Sequence, residues 1–467
     1  MNFDCNISVD ARATYVLETL EQAGYSAWLV GGCVRDALMG NTANDYDIAT
    51  SAPWRQTSTL FKAAGCNVAE TGVKHGTVTV VVDSMPFEVT TYRIDGLYSD
   101  ARHPDNVTFS DSITDDLARR DFRINAIAYH PDRGILDPYE GMEDIRQRRL
   151  CAVGNPFDRL AEDPLRILRG LRFAAKLGFS IERKTQNAIR QNAALLQSVS
   201  KERIFAELSS LLCSPYAQKV LLEYPKVFDI LIEGIDAMAR QPFDPRETTP
   251  SLLEHAARVL GKVPADPALR FAALLHDKSK THRPARTNGP FNHAEESAHQ
   301  TRHLLAKLKS PRSVREKTCR IVARHNEYVP PTKEGVATLV ALERGDVSFV
   351  RDLLVFQRSD IESLEGLSSC AREANLRLEV LDELVRTHAP LTRTDLAING
   401  ADVKNELGVS GRAIGLILDS ALCAVIEGLP NERDTLLSHI SNMKNIAPEN
   451  LFEKKFKKLL DANMLNL

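Results

Sequence analysis

The sequence predicts an α+β multidomain protein, a head with a mixed sheet followed by an all-helical remainder. Three observations carry that prediction. Strand-like runs are confined to residues 1–150, the clearest being Ala27–Val30 (AWLV) and the β-branched Thr77–Val82 (TVTVVV). Beyond Leu150 the chain is rich in Leu, Ala, Arg and Glu at helical spacing, as in LRILRGLRFAAKLGF from Leu165 to Phe179. Finally, at about 100–200 residues per domain, 467 residues suggest roughly three domains.

The elements follow in order. AWLV is a strand ending at Gly31-Gly32; Val34–Met39 and Pro53–Ala64 read as helices, and PFEVTTY (Pro86–Tyr92) as a further strand. DPYEG (Asp137–Gly141) is a turn that closes the first domain. QPFDPRETTP (Gln241–Pro250) is the best linker, and the helical block after it carries most of the histidines. Pro330-Pro331 and Asn399-Gly400 mark further breaks. The expected division is a head over 1–150, a helical neck over 151–240, a helical domain over 251–365 and a helical tail over 366–467. The chain ends in a short basic amphipathic segment, Glu449–Leu467, which is either a solvated charged face or a contact for a polyanion.

Composition narrows the function classes. With 43% hydrophobic, 26% charged and 6% aromatic residues, the chain is an ordinary globular one. No apolar run approaches the ~18 residues of a membrane span, and the opening MNFDCNISVD lacks the basic and apolar regions of a secretory signal. Eight cysteines stand singly with no CxxC pair, against a thiolate zinc site or a disulfide framework and in keeping with a reducing cytoplasm. A net charge of −3 excludes a uniformly basic coat. Any nucleic-acid partner therefore requires the 59 Lys and Arg to be segregated onto one surface. Nothing in the sequence calls for a membrane or an obligatory protein partner.

The strongest local signal is WLVGGCVRDALMG followed by NDYDIAT. Two glycines between strand and helix let a backbone approach a ligand, and a helix start offers N–H groups to phosphate. Asp45 and Asp47 alternate along a strand-like segment, so both carboxylates face the same way. Like charges that close repel and raise each other's pKa unless a cation lies between them. A DxD alone is also a common turn before a strand. Here it follows GG and Arg35, and two carboxylates with substrate phosphates suit Mg2+. Glu88 is either a third carboxylate of this group or a solvent-facing strand residue. In LARRDFRINA, Arg119 and Arg120 are suited to phosphate, while Asp121 and Asn125, four apart on an expected helix, are suited to ribose hydroxyls.

Five motifs in order, GGxVRD (Gly31–Asp36), DxDxxT (Asp45–Thr50), RRDFxxNA (Arg119–Ala126), DPxxG (Asp137–Gly141) and EDPLRILR (Glu162–Arg169), resemble the class II tRNA nucleotidyltransferases. That group contains the CCA-adding enzymes and bacterial poly(A) polymerases. The resemblance covers about the first 210 residues and implies a polymerase-β-like catalytic head. It implies a metal pair at Asp45 and Asp47, and triphosphate and sugar contacts at Gly32, Arg35, Arg119, Asp121 and Asn125. Thr90–Phe109 resembles the family's flexible loop, which favours full CCA addition. KERIFAEL (Lys201–Leu208) resembles the motif closing the neck, with orienting or structural roles for Glu202 and Glu207.

In that family an Asp and an Arg matching Asp163 and Arg166 pair with the Watson–Crick edge of the incoming base, and the chemistry supports it. Asp163 and Arg166, three apart, are expected on one helix face, with Arg169 and Arg172 continuing the stripe. A carboxylate only accepts and a guanidinium only donates. Cytosine offers an amino group beside N3, and adenine an amino group beside N1. Uracil and guanine present the inverse pattern. Each buried polar group left unpaired costs about 1–3 kcal/mol, so two mismatches give discrimination on the order of 10²–10⁴. The implied activity is template-independent addition of C, C and A to tRNA 3′ ends from CTP and ATP, with release of pyrophosphate. A-only, CC-only or poly(A) addition are variants of the same chemistry.

A second constellation lies downstream. His276-Asp277 in LLHDKSK, with His255 before it and Asp360 after, resembles the HD superfamily of metal phosphohydrolases. His293 and His325 stand where such domains often carry further histidines. HDKSK departs from the commoner HDxGK, which puts the metal geometry in question. The domain is either a structural or vestigial one that supports tRNA or an active phosphohydrolase, and the competing reading of the whole chain is an HD phosphohydrolase whose head has become a binding module. Intact Asp45 and Asp47 argue against it.

Overall fold

The computed structural model describes residues 7–43, 45–95, 107–243, 250–282, 292–364 and 368–442. The chain divides into two compact units, Met1–Asp236 and Ala237–Leu467. The boundary falls inside the helix Ile235–Arg240, just ahead of the expected linker Gln241–Pro250, part of which lies outside the described residues.

The first unit is built on strands β1 (Ala27–Val30), β2 (Tyr46–Thr50), β3 (Asn67–Gly72), β4 (Thr77–Val82) and β5 (Met85–Thr91). A separate hairpin, β6 (Arg93–Asp95) with β7 (Val107–Phe109), follows, then β8 (Ala128–His130) and β9 (Gly134–Leu136). The main sheet has seven strands in the order β3-β4-β5-β2-β1-β8-β9, with β2 and β5 parallel and the other pairs antiparallel. Both faces are covered around β1. Ala27 and Leu29 enter one core cluster, while Trp28 enters a second with Val30. That two-sided burial is why AWLV reads as an unbroken apolar run rather than an alternating one. Register places Asp47 opposite Val30 on one side and beside Glu88 on the other.

Helices Pro156–Glu162, Leu165–Leu177, Arg183–Asn192 and Lys201–Leu212 follow within the same unit. Helix Leu165–Leu177 buries Ile167, Leu168 and Leu171, each stabilising by about 1.5–3 kcal/mol. Phe173 and Phe179 enter the core cluster of the sheet, so neck and head share one core. Asp137 opens a turn, as the DPYEG pattern predicts, and the first unit continues beyond it. Its carboxylate accepts from the N–H groups of Gly141 (2.7 Å) and Met142 (2.8 Å), and a Cβ at Gly141 would collide with the Arg123 carbonyl.

The local expectations are corrected in three places. Asp45 lies in a bend just before β2 rather than in it. Asp121 and Asn125 do not share an α-helix: helix Ile113–Ala118 stops at Arg119, and only Arg123–Asn125 is a 3₁₀ turn. The backbone there pairs elsewhere, Arg123 N–H with the Cys151 carbonyl (2.9 Å) and Val153 N–H with that of Asp121 (3.1 Å). Asp163 is extended (φ −131°, ψ 99°) between two helices, not on the helix face of Arg166. Pro164 explains this, because a residue before proline is pushed out of the α region.

The second unit is helical in its described residues, with Leu252–Lys262, Pro267–Leu275, His293–Lys307, Arg312–Arg324, Lys333–Leu342 and Val347–Ile361 among its elements. Pro330-Pro331 separates two of them as expected. Asn399 instead begins helix Gly400–Leu407 with a capping box. No single helix among the described residues is long and apolar enough to cross a membrane. The seven described cysteines are free thiols. The Glu449–Leu467 segment and the centre of the Thr90–Phe109 loop lie outside the described residues.

Candidate active site

A cavity of about 740 Å³ opens in the first unit. Gly32, Arg35, Asp47, Arg119, Asp121, Asn125, Asp163, Arg166, Arg169 and Arg172 all line it. Of the residues expected in the head and neck site only Asp45 is off the wall; it is exposed, one residue from β2. Eight arginines and a lysine face three aspartates across this space. The basic residues are thus segregated as a polyanionic ligand requires, inside a chain of net charge −3.

Gly31 closes the floor. Its φ of +76° disfavours any other residue, and a Cβ would sit 2.8 Å from Arg120 Nη1 and 3.6 Å from Asp47 Oδ2. Burial raises the pKa of Asp47; Arg120 opposes the rise, and Glu88 and Asp45 add to it. A half-buried carboxylate beside the exposed Asp45 and Glu88 is what a cation would relieve, so the residues here fit a divalent ion. Asp116, fully buried, anchors the two arginines: Arg119 Nη2 donates to Oδ1 at 2.7 Å and Arg120 Nη2 to Oδ2 at 3.1 Å. Burial would raise Asp116, but these two guanidiniums hold it below the usual carboxylate range.

The neck residues are similarly paired. Burial would raise the Asp121 carboxyl, yet Arg169 overrides it and brings it to about 2, with Arg169 Nε donating at 2.7 Å. Asn125 Nδ2 also donates to Asp121, at 3.3 Å, while its own Oδ1 accepts from Arg35 Nη1 at 2.6 Å. Arg172 Nε donates to Glu207 at 2.6 Å, and Arg166 Nη1 donates to Glu162 at 2.7 Å. The Phe173 ring lies beneath three guanidiniums, those of Arg172 (4.3 Å), Arg35 (5.4 Å) and Arg169 (5.5 Å).

In the second unit the histidine motif converges. His255 Nε2 lies 3.1 Å from His276 Nε2 and 3.0 Å from Asp360 Oδ1; His276 Nε2 lies 3.5 Å from Asp277 Oδ2. Asp277 Oδ1 is 3.5 Å from His293 Nε2 and 3.7 Å from His325 Nε2. Two triads, His255–His276–Asp277 and Asp277–His293–His325, have donor spacing that fits a metal ion. The hydrogen-bond network assigns the tautomers. His276 Nδ1 donates to the Ala273 carbonyl (3.0 Å), and His325 Nδ1 to that of Val322 (2.8 Å). Ser363 gives its proton to the Asp360 carbonyl, so its Oγ accepts from His255 Nδ1 at 3.0 Å. His255 and His276 therefore turn Nε2 lone pairs on each other and on the carboxylates, whereas at His325 burial is outweighed by Asp277, which holds it above its ordinary value, and Lys280 Nζ donates to Asp277 Oδ2 at 2.7 Å. Burial also holds His276 down to about 4, keeping it a neutral ligand. At the HDKSK departure, buried Ser279 donates to the His293 carbonyl at 2.9 Å.

Two family models match the chain, the Poly A polymerase head domain over residues 27–151 and the "Probable RNA and SrmB- binding site of polymerase A" over 178–238. The CCA-adding enzyme of Lactiplantibacillus plantarum is 33% identical over 429 residues, covering 90% of this chain and 93% of that enzyme. The chain belongs to the CCA-adding enzyme family. The Streptococcus mutans CCA-adding enzyme is 46% identical over 208 residues, 44% of this chain and 51% of its own length. Among solved structures, the Bacillus stearothermophilus CCA-adding enzyme in complex with CTP matches with a TM-score of 0.70 and 27% identity, over 95% of this chain and 98% of that one. In this family the α+β head is a polymerase-β-like nucleotidyltransferase, and the seven-stranded sheet is that head. CCA-adding enzymes are nucleotidyltransferases that use divalent metals.

The cavity also has wall residues that sequence reasoning does not find: His75, Arg93, Phe173, Lys176 and Arg203. Asp116 was legible in principle, because DDLARR sets it three and four residues before Arg119 and Arg120. Arg203 lies in KERIFAEL, which drew notice for its glutamates alone. His75 and Arg93 reach the cavity through strand pairing and carry no local signal.

Proposed function

We propose that this chain adds C, C and A to tRNA 3′ ends from CTP and ATP without a nucleic-acid template, in the cytoplasm. The observation that carries the reading is that Asp163 and the Arg166–Arg172 stripe border the same cavity as Asp47, so one space takes a triphosphate at one end and a base at the other. Asp45 and Asp47 are the residues that would hold Mg2+, which supplies charge neutralisation at the α-phosphate and a lowered pKa for the attacking hydroxyl. Arg35, Arg119 and the neighbouring arginines bind the triphosphate, and Asp121, Asn125 and the Gly32 backbone order the sugar side. Asp163 accepts from the amino group of cytosine or adenine, and Arg166 donates to the adjacent ring nitrogen. Uracil and guanine leave both groups unmatched. In this reading residues 1–150 are the catalytic head, 151–240 the base-reading neck, and 366–467 a body that takes up tRNA. The relatives aligned over most of the chain favour full CCA addition over A-only, CC-only or poly(A) addition.

The test is incorporation of single labelled nucleotides with Mg2+ into tRNA lacking its 3′ end. CTP enters first, and ATP enters once two cytidines are present. Incorporation of ATP but never of CTP overturns the reading.

A second activity is favoured by the metal-compatible spacing of His255, His276 and Asp277. His255, His276, Asp277 and Asp360, within an HD-like domain over 251–365, would hold a divalent ion that supplies an activated water for phosphoester hydrolysis. Metal content measured by mass spectrometry tests the ligand set apart from any activity. His276→Ala is expected to lose the bound ion, and unchanged metal content contradicts the assignment.

A further inference from the structure

We infer that Arg203 is a positioning residue for base choice: it fixes the carboxylate that reads the amino group of the incoming base. The inference rests on the reading of Asp163 as that carboxylate. Asp163 is held in extended backbone ahead of Pro164, outside either flanking helix, so no helix geometry orients its side chain. Two contacts do. Oδ1 accepts from the Leu165 N–H at 3.1 Å, which commits that oxygen to the start of helix Leu165–Leu177. Oδ2 accepts from Arg203 Nη2 at 2.9 Å, with both side chains mostly buried at 23% and 13% exposure. A carboxylate oxygen has two lone pairs, so Oδ2 takes Arg203 on one and keeps the other for a base. With Oδ1 tethered, the acceptor direction at Oδ2 is set by the guanidinium.

The placement of Arg203 makes this a built contact. Helix Lys201–Leu212 packs on the reading helix and presents Arg203 and, one turn later, Glu207 to it. Arg203 holds the carboxylate end of the reading stripe, while Glu207 holds Arg172 further along. Opposite charges four residues apart thus meet opposite charges on the facing elements, which fixes the register between the two. Arg203 also lines the cavity itself. Without it, Asp163 keeps only the Leu165 tether and is free to turn about its last side-chain bond. An acceptor that turns discriminates less between an amino donor and a carbonyl.

The test compares the full chain with Arg203→Gln, Arg203→Lys and Asp163→Ala, measuring kcat and KM for all four nucleotides on tRNA lacking its 3′ end. Arg203→Gln is expected to lower the CTP-to-UTP ratio of kcat/KM by about tenfold or more, the worth of a hydrogen bond to a charged group. The ATP-to-GTP ratio on tRNA ending in CC falls with it, and Arg203→Lys recovers part of both. Equal losses for all four nucleotides in Arg203→Gln, with ratios unchanged while Asp163→Ala collapses them, overturn the inference and leave Arg203 a structural residue. Unchanged ratios in Asp163→Ala sink the underlying reading instead. Arg203→Met, which keeps the aliphatic stem, carries the same ratio measurement if the glutamine variant does not fold.

Discussion

The two polar centres of this chain are assembled on opposite principles. In the cavity of the first unit the reading side chains are already matched within the protein: Asp121 with Arg169, Arg172 with Glu207, Asp163 with Arg203. In the second unit the buried His255, His276 and His325 converge on Asp277 and Asp360, and the His255 and His276 Nε2 atoms meet at 3.1 Å. The first arrangement holds its groups in place ahead of a large charged ligand, keeping them ordered without one. The second groups histidines and carboxylates at a spacing that fits a metal ion, with Lys280 already paired to Asp277 at 2.7 Å. Asp47, half-buried beside Glu88 and Asp45, is a place among the described residues where the first region shares the logic of the second.

Removing metal-holding carboxylates separates the regions most sharply. Asp47→Ala or Asp45→Ala is expected to lower nucleotide addition by several kcal/mol of barrier, roughly 10³-fold or more, while tRNA binding in a gel-shift assay persists. Retained activity breaks the metal assignment. The reciprocal change, His276→Ala, is expected to abolish metal binding in the second unit and leave CTP incorporation within about twofold of the parent; loss of both links the centres. Gly31→Ala probes the floor of the cavity. A side chain at φ +76° pressed against Arg120 costs about 1–3 kcal/mol, visible as a lower melting temperature and weaker CTP binding. An unaltered melting curve contradicts the strain argument.

The smallest effect concerns the preformed pairs. Asp121 has a folded-state pKa of about 2 against an ordinary 3.8. Its contribution to stability is present above the ordinary value and is lost as pH falls through the folded one. Asp121→Asn should therefore flatten acid unfolding between those two values. An acid profile identical to the parent indicates that the Arg169 pair adds nothing to folding.

Much of this was legible in the chain, and the failures have physical causes. Ordered short motifs located all but one of the expected wall residues, because they record which loops a sheet brings together. Helical spacing placed Arg166, Arg169 and Arg172 on one side of a real helix. It misplaced Asp163, whose backbone is governed by the following proline. It misplaced Asp121 and Asn125 too, since the Asp121 carboxylate accepts from Phe122 N–H at 2.9 Å and the strand-like pairing to Cys151–Val153 displaces a helix. Arg203, His75 and Arg93 arrive through long-range packing, on which local periodicity is silent. In the second unit the His-Asp pair signalled the cluster, and the serine in HDKSK is bonded to the His293 carbonyl, a contact the motif does not announce.

The central claim is that protein side chains in the first cavity choose the base. It is tested most directly by the four-nucleotide selectivity of Asp163→Ala on tRNA lacking its 3′ end. The account predicts that UTP and GTP gain on CTP and ATP, with discrimination reduced by about ten- to a hundredfold. Full parental selectivity in a folded, active Asp163→Ala enzyme would contradict it.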